Sequence, residues 1–261
     1  MNKEKSDHGF QSRSDFLETY VDEMVGVINL KDNAFDIATN LSLKEELFNK
    51  INQANQITEI KVIVIISSES ALGKEKHAKF VSKIVENFDG EKYLFREEHA
   101  LSQFVQMICR VQKMVISCVR GSVVGAFLGA ILATDHRIVS ESTVFSFPHI
   151  QCQMPPQGAL AFFLPRYIGR IKAKKILLHG ESINAVQAHE LELVDGVIGD
   201  DGFEQGCIEI AKKMSQVPQN VVIMTKSLMN CDLKGLSTYF EMEAKLATKY
   251  RIKMPLKENN E

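Results

Sequence analysis

The chain has 261 residues, 45% hydrophobic and 25% charged, enough to bury one sizeable core. Its net charge of −2 gives no reason to expect nucleic acid or an anionic membrane as partner. The five cysteines (Cys109, Cys118, Cys152, Cys207 and Cys231) are scattered without metal-ligand spacing, which fits buried free thiols in a reducing compartment and no metal site.

Met1 to Ser14 is charged and polar, and is expected to be a disordered tail rather than a signal or an anchor. No apolar run reaches the ~18 residues of a membrane span, so a soluble cytoplasmic protein is expected. Phe16–Tyr20 and Met24–Leu30 flank Val21-Asp22-Glu23 as a hairpin, and Asn33–Asn40 reads as a loop. Ser42-Leu43-Lys44-Glu45 has the spacing of a capping box, opening a helix with Leu43, Leu47, Ile51 and Ala54 on one face. Ile60–Ile66 is a β-branched run suited to a strand covered on both sides. A polar loop, Ser67–Lys74, precedes a helix expected from about Glu75 to Asn87. Phe95–Val111 repeats apolar residues at helical spacing, with Leu101, Phe104, Val105, Ile108 and Val111 inward.

Met114–Val119 is an apolar strand that ends at Arg120-Gly121 and feeds a small-residue helix, Gly125–Ala133. The first N–H groups of a helix have no intrahelical partner, so an oxyanion can be held at such a junction by backbone alone. Gly125 and Ala126 leave room for a ligand to approach it. Asp135 and Arg137 are two apart on the next strand, face the same way and are expected to pair, with His136 on the opposite face. Thr143–Phe147 is strand-like, followed by Pro148-His149, Pro155-Pro156 and Gly158-Ala159. Leu160–Leu164 reads as a helical turn closed by Pro165 and Gly169, and Gly202–Val217, Pro218–Cys231 and Leu236–Arg251 as further helices. His77, His99 and His189 read as solvated.

From Arg120 to Arg166 the order of these pieces resembles the central segment of the crotonase (enoyl-CoA hydratase/isomerase) superfamily. Gly125 matches that family's Gly-rich turn, Asp135 and Arg137 its paired charges, and Phe145-Ser146-Phe147-Pro148 its Phe-Gly-x-Pro. Gln157, Ala159 and Leu160 replace glycines of its Pro-Gly-x-Gly-Gly turn, and Glu192 replaces a helix-ending glycine. The resemblance runs from about Phe16 to Arg251 and is strongest from Lys113 to Asp195. It implies an α/β fold, a crotonase-like ββα spiral over residues 15–198, with a C-terminal helical trimerisation region over residues 199–261. In the family those last helices reach a neighbouring subunit, which implies a homotrimer or a dimer of trimers.

The resemblance also implies a substrate, an acyl-CoA or a carrier-bound thioester, and no separate cofactor. Matching Gly73 to the family's loop glycine gives Leu72 and Ala126 as paired N–H donors to the thioester oxygen, with Gly73 and Gly125 beside them. Where hydratases of the family carry two catalytic glutamates, this chain has Gly129 and His149. Hydration by that route needs water held between two carboxylates, so isomerase or decarboxylating lyase chemistry is the better fit, with His149 as the one acid/base side chain. The family's polyketide-associated decarboxylases also manage without the glutamates, although their lysine has no counterpart here. A second reading stays open: a non-catalytic crotonase-fold binding or assembly subunit in which His149 fills a loop and hydrogen-bonds to backbone.

Overall fold

The computed structural model describes residues 9–32, 36, 40–86 and 90–249, without the side chains of residues 83–91. Strands β1 (Ser12–Arg13), β2 (Leu17–Asp22) and β3 (Val25–Leu30) are antiparallel, and Leu17 pairs with Leu30 and Asp22 with Val25. Glu23 turns the β2–β3 hairpin at φ 54°. Helix α1 (Leu41–Gln56) leads to β4 (Val62–Ser67), every residue of which is buried. Helices α2 (Lys74–Glu86) and α3 (Gly90–Arg110) come next, then β5 (Met114–Val119), β6 (Ser122–Val124) and the short helix α4 (Gly125–Ile131). The chain continues through β7 (His136–Ser140), β8 (Val144–Ser146), α5 (Leu160–His179), β9 (Ile183–Asn184), α6 (Ala185–Glu190) and β10 (Gly196–Ile198). It closes with α7 (Phe203–Met214), α8 (Gln219–Met229) and α9 (Leu236–Lys249).

The main sheet runs β1-β2-β3-β4-β5-β7-β10 and is parallel from β3 onward; a smaller sheet runs β6-β8-β9. Alternation along β4 explains how the main sheet is covered. Ile63 and Ile65 pack with Ile51 of α1 and Ile108 of α3 on one face. Val62, Val64 and Ile66 pack with Phe203, Cys207 and Ile208 of α7 on the other. A third apolar cluster joins Val123, Leu128, Phe145 and Leu160, and this one supports the site described below.

Several expectations need correction. Residues 9–14 of the expected disordered tail are part of the fold: Phe10 is only 2% exposed, its carbonyl accepts from the Thr19 hydroxyl, and β1 pairs with β2. Residues 1–8, and most of the loop expected over Asn33–Asn40, lie outside the described residues. The cap of α1 is Asn40, whose extended backbone lets its side chain accept from the N–H groups of Ser42 and Leu43. Helix α3 begins at Gly90 rather than Phe95, and α4 ends at Ile131 rather than Ala133. Pro165 lies inside α5; the break falls at Gly169, where φ 76° and ψ 159° leave the helical region.

Asp135 and Arg137 do not pair with each other. Arg137 meets Asp195 at 2.6 Å, while Asp135 meets Lys226 of α8 at 2.5 Å and accepts from the Val115 N–H. Each carboxylate is thereby satisfied by a distant part of the chain. All five thiols are free, but only Cys118 and Cys207 are buried, and Cys231 is exposed.

Candidate active site

The loop after β4 is pinned along β6. The Val124 N–H donates to the Leu72 carbonyl at 3.0 Å, and the Lys74 N–H to the Ser122 hydroxyl at 3.3 Å. Glycine is required where the two pieces cross, since Gly121 has φ 69° and a Cβ there would lie 2.5 Å from the Glu69 carbonyl oxygen. Two residues beyond the Val124 bond stands Ala126, in the first turn of α4, where helix geometry provides no internal partner for its N–H. Leu72 and Ala126 are thus held on adjacent, mutually bonded segments.

A small cavity of about 20 Å³ opens over Gly125 and Ala126, walled by His77, His149, Cys152 and Gln157. His149 is half-buried, and its Nε2 is 3.0 Å from the Leu177 carbonyl. A carbonyl can only accept, so Nε2 carries the proton and the lone pair is left on Nδ1. Burial lowers the His149 pKa and the bond to Leu177 opposes that shift. The expected solvation of His77 is corrected: it is half-buried against the same cavity, and burial lowers its pKa. Three residues before the buried Phe80, it falls on the inward side of α2. Burial raises the Cys152 thiol, which keeps it protonated and a poor nucleophile. A separate apolar cavity of about 100 Å³ is lined by Leu72, Leu101, Phe104, Phe127, Ala130 and Ile131.

Position 129 is closed. A Cβ on Gly129 would overlap the Gly158 carbonyl oxygen and approach the Leu160 nitrogen to 2.7 Å; a Cβ on Gly158, at φ 68°, would overlap the Ala126 carbonyl oxygen. Backbone therefore fills the space through which a side chain from 129 would have to leave.

The turn that fills it is held by buried acids that the sequence reading missed. The Gly158 and Ala159 N–H groups donate to the two carboxylate oxygens of Glu243 at 3.1 and 3.2 Å, and Gln157 Nε2 donates to Glu98 at 3.0 Å. Burial pushes Glu243 up to about 7 and, with the neighbouring Glu98, pushes Glu97 up to about 8. The sequence did carry a signal for them. Glu243 sits on the same stripe as Leu236, Phe240 and Ala247, and Glu97 and Glu98 fall between Leu94 and Leu101, so acids occupy apolar faces.

Among the described residues, no group of three or more His, Cys, Asp or Glu side chains is placed to hold a metal ion, and no helix is long and apolar enough to cross a membrane. The sequence profile of the enoyl-CoA hydratase/isomerase family matches residues 21–259. The chain belongs to that family. It is 28% identical over 214 residues to "Probable enoyl-CoA hydratase EchA12" of Mycobacterium tuberculosis (strain ATCC 25618 / H37Rv), covering 81% of this chain and 73% of that protein. Over a shorter stretch of 123 residues it is 25% identical to "4-chlorobenzoyl coenzyme A dehalogenase-1" of Arthrobacter sp, covering 47% of this chain and 45% of that one. In three dimensions it resembles the enoyl-CoA hydratase from Bacillus halodurans with a TM-score of 0.75 at 20% identity, covering 90% of this chain and 94% of that one. This structural likeness establishes the crotonase-like α/β fold.

Proposed function

We propose that this family member acts on an acyl thioester, carried by CoA or by a carrier-protein arm, and stabilises its enolate between the main-chain amides of Leu72 and Ala126. His149 moves the proton. The observation that carries this reading is that the Ala126 backbone and the imidazole of His149 wall the same cavity, with the basic Nδ1 left unused by the Leu177 bond. Backbone donors aimed at a developing oxyanion and one base near the α carbon are what enolate formation needs. The apolar cavity bordered by Leu72 and Phe127 offers a place for the acyl chain. The relatives in M. tuberculosis and Arthrobacter are both named for coenzyme A substrates, which supports this reading.

Hydration through two carboxylates is disfavoured, because 149 is a histidine and 129 has no room for a side chain. Isomerisation or decarboxylation remains. Assembly as a trimer or a dimer of trimers suits the exposed Ile171, Leu178, Leu228 and Met229. The second reading, a binding subunit without catalysis, draws its support from the His149 bond to Leu177, which a purely structural histidine would also make.

One experiment separates the two. Acyl-CoA is incubated with the protein in heavy water, and deuterium at the α carbon is followed. Exchange that falls at least ~100-fold in His149→Ala supports the enzyme. Binding without exchange in the unaltered protein supports the other reading.

A further inference from the structure

His149 does not stand alone in its cavity. His77 reaches the same space from the first turn of α2, whose backbone is joined to the loop that carries Leu72 by the His77 N–H donating to the Gly73 carbonyl at 3.0 Å. His149 arrives from the segment after β8 and is fixed to Leu177 of α5. The two histidines thus come to one cavity from separate elements, α2 and the segment after β8. The cavity they share, about 20 Å³, is the size of one water molecule, and Gln157 adds a polar wall to it.

We infer that His77 is a second acid–base side chain of this site, paired with His149 through a water molecule held between them. The inference rests on the acyl-thioester reading above and gives it a direction. In the first step His149 Nδ1 takes a proton from the α carbon of a β,γ-unsaturated thioester; the C–H bond breaks, its electron pair enters the dienolate, and His149 becomes an imidazolium. The proton then passes through the water to His77, leaving His149 neutral. His77 finally delivers it to the γ carbon, where a C–H bond forms as the dienolate collapses to the α,β-unsaturated thioester. Protons and electrons balance without an oxidant, a reductant or any co-reactant beyond water. Two imidazoles brought to one cavity by separate elements suit a proton that leaves one carbon and returns to another; decarboxylation needs only one donor.

The test uses the full-length protein with a β,γ-unsaturated acyl-CoA in heavy water, recording α-carbon exchange and conversion to the conjugated isomer together. In His77→Gln, conversion is expected to fall ~100-fold and the ratio of exchange to conversion to rise. His99→Gln, an exposed histidine of α3, should match the unaltered protein in both. An unchanged conversion rate in His77→Gln overturns the inference, as does an equal fall in both readouts. Loss of exchange in the unaltered protein would remove the underlying reading instead. Should His77→Gln fold poorly, the imidazole ¹⁵N resonances of the unaltered protein decide: a saturated acyl-CoA is expected to shift both His77 and His149. A shift at His149 alone overturns the pair.

Discussion

Positions 129 and 149, which the family resemblance sets against its two glutamates, are packed in different ways. Position 129 is sealed by main chain, with the Gly158 carbonyl and the Leu160 nitrogen occupying the path of any side chain. Position 149 remains open to a cavity and carries a group able to move protons. One position therefore has no room for a side chain, whereas the other carries an imidazole beside a cavity. Only the packing tells the two positions apart.

The largest expected effect breaks this comparison at its closed end. Gly129→Glu should cost more than ~4 kcal/mol of stability in urea denaturation, because backbone rather than a flexible side chain must yield. His149→Glu, at the open end, should cost only about 1 kcal/mol, the scale of the hydrogen bond to Leu177. Equal costs would mean that the two positions are not packed differently.

Next in size is a pH effect from the acids behind the closed position. Glu97 and Glu243 ordinarily titrate near 4.5, and burial raises them to about 8 and about 7. The folded chain then keeps protons that the unfolded chain has already released. Their contribution to stability is accordingly full below about 4.5 and declines as pH rises through 7 and 8. Glu97→Gln should be more stable than the unaltered protein by about 4 kcal/mol at pH 8 and indistinguishable from it near pH 4. Half-buried His77 and His149, with lowered pKa values, work in the opposite sense, losing stability as pH falls below 6.5. The Gln variant isolates the acid component. An advantage that did not shrink toward low pH would contradict the assignment.

The smallest effect concerns Glu192, which holds φ 59° although it is not glycine. The chain has kept the left-handed end of α6 without the residue that adopts it freely. Glu192→Gly should gain about 0.5–1 kcal/mol, read as a modest rise in melting temperature. A loss would mean that contacts of the Glu192 side chain outweigh its backbone strain.

Much of the architecture was legible because it depends on local pattern. The β-branched run ending at Ile66, the apolar stripe from Leu101 to Val111 and the glycine-marked entry to α4 each fix an element through its own periodicity. The family resemblance then supplied how they assemble. What stayed hidden depends on partners far apart in the chain. Arg137 pairs across 58 residues with Asp195, and Gly158 is bonded across 85 residues to Glu243. His77 looked solvated because lysines surround it in sequence, although its spacing to Phe80 turns it inward. The closure of position 129 could not be read at all, since it is made by a carbonyl and an amide that every residue possesses.

The claim on which the functional account turns is that two backbone amides grip a thioester oxygen. The carbonyl stretch of an acyl-CoA labelled with ¹³C at the thioester carbon measures this directly when recorded free and bound. Donation from Leu72 and Ala126 predicts a shift to lower frequency on binding, because the C=O bond is polarised. A bound carbonyl that vibrates at the frequency of the free thioester would contradict the account.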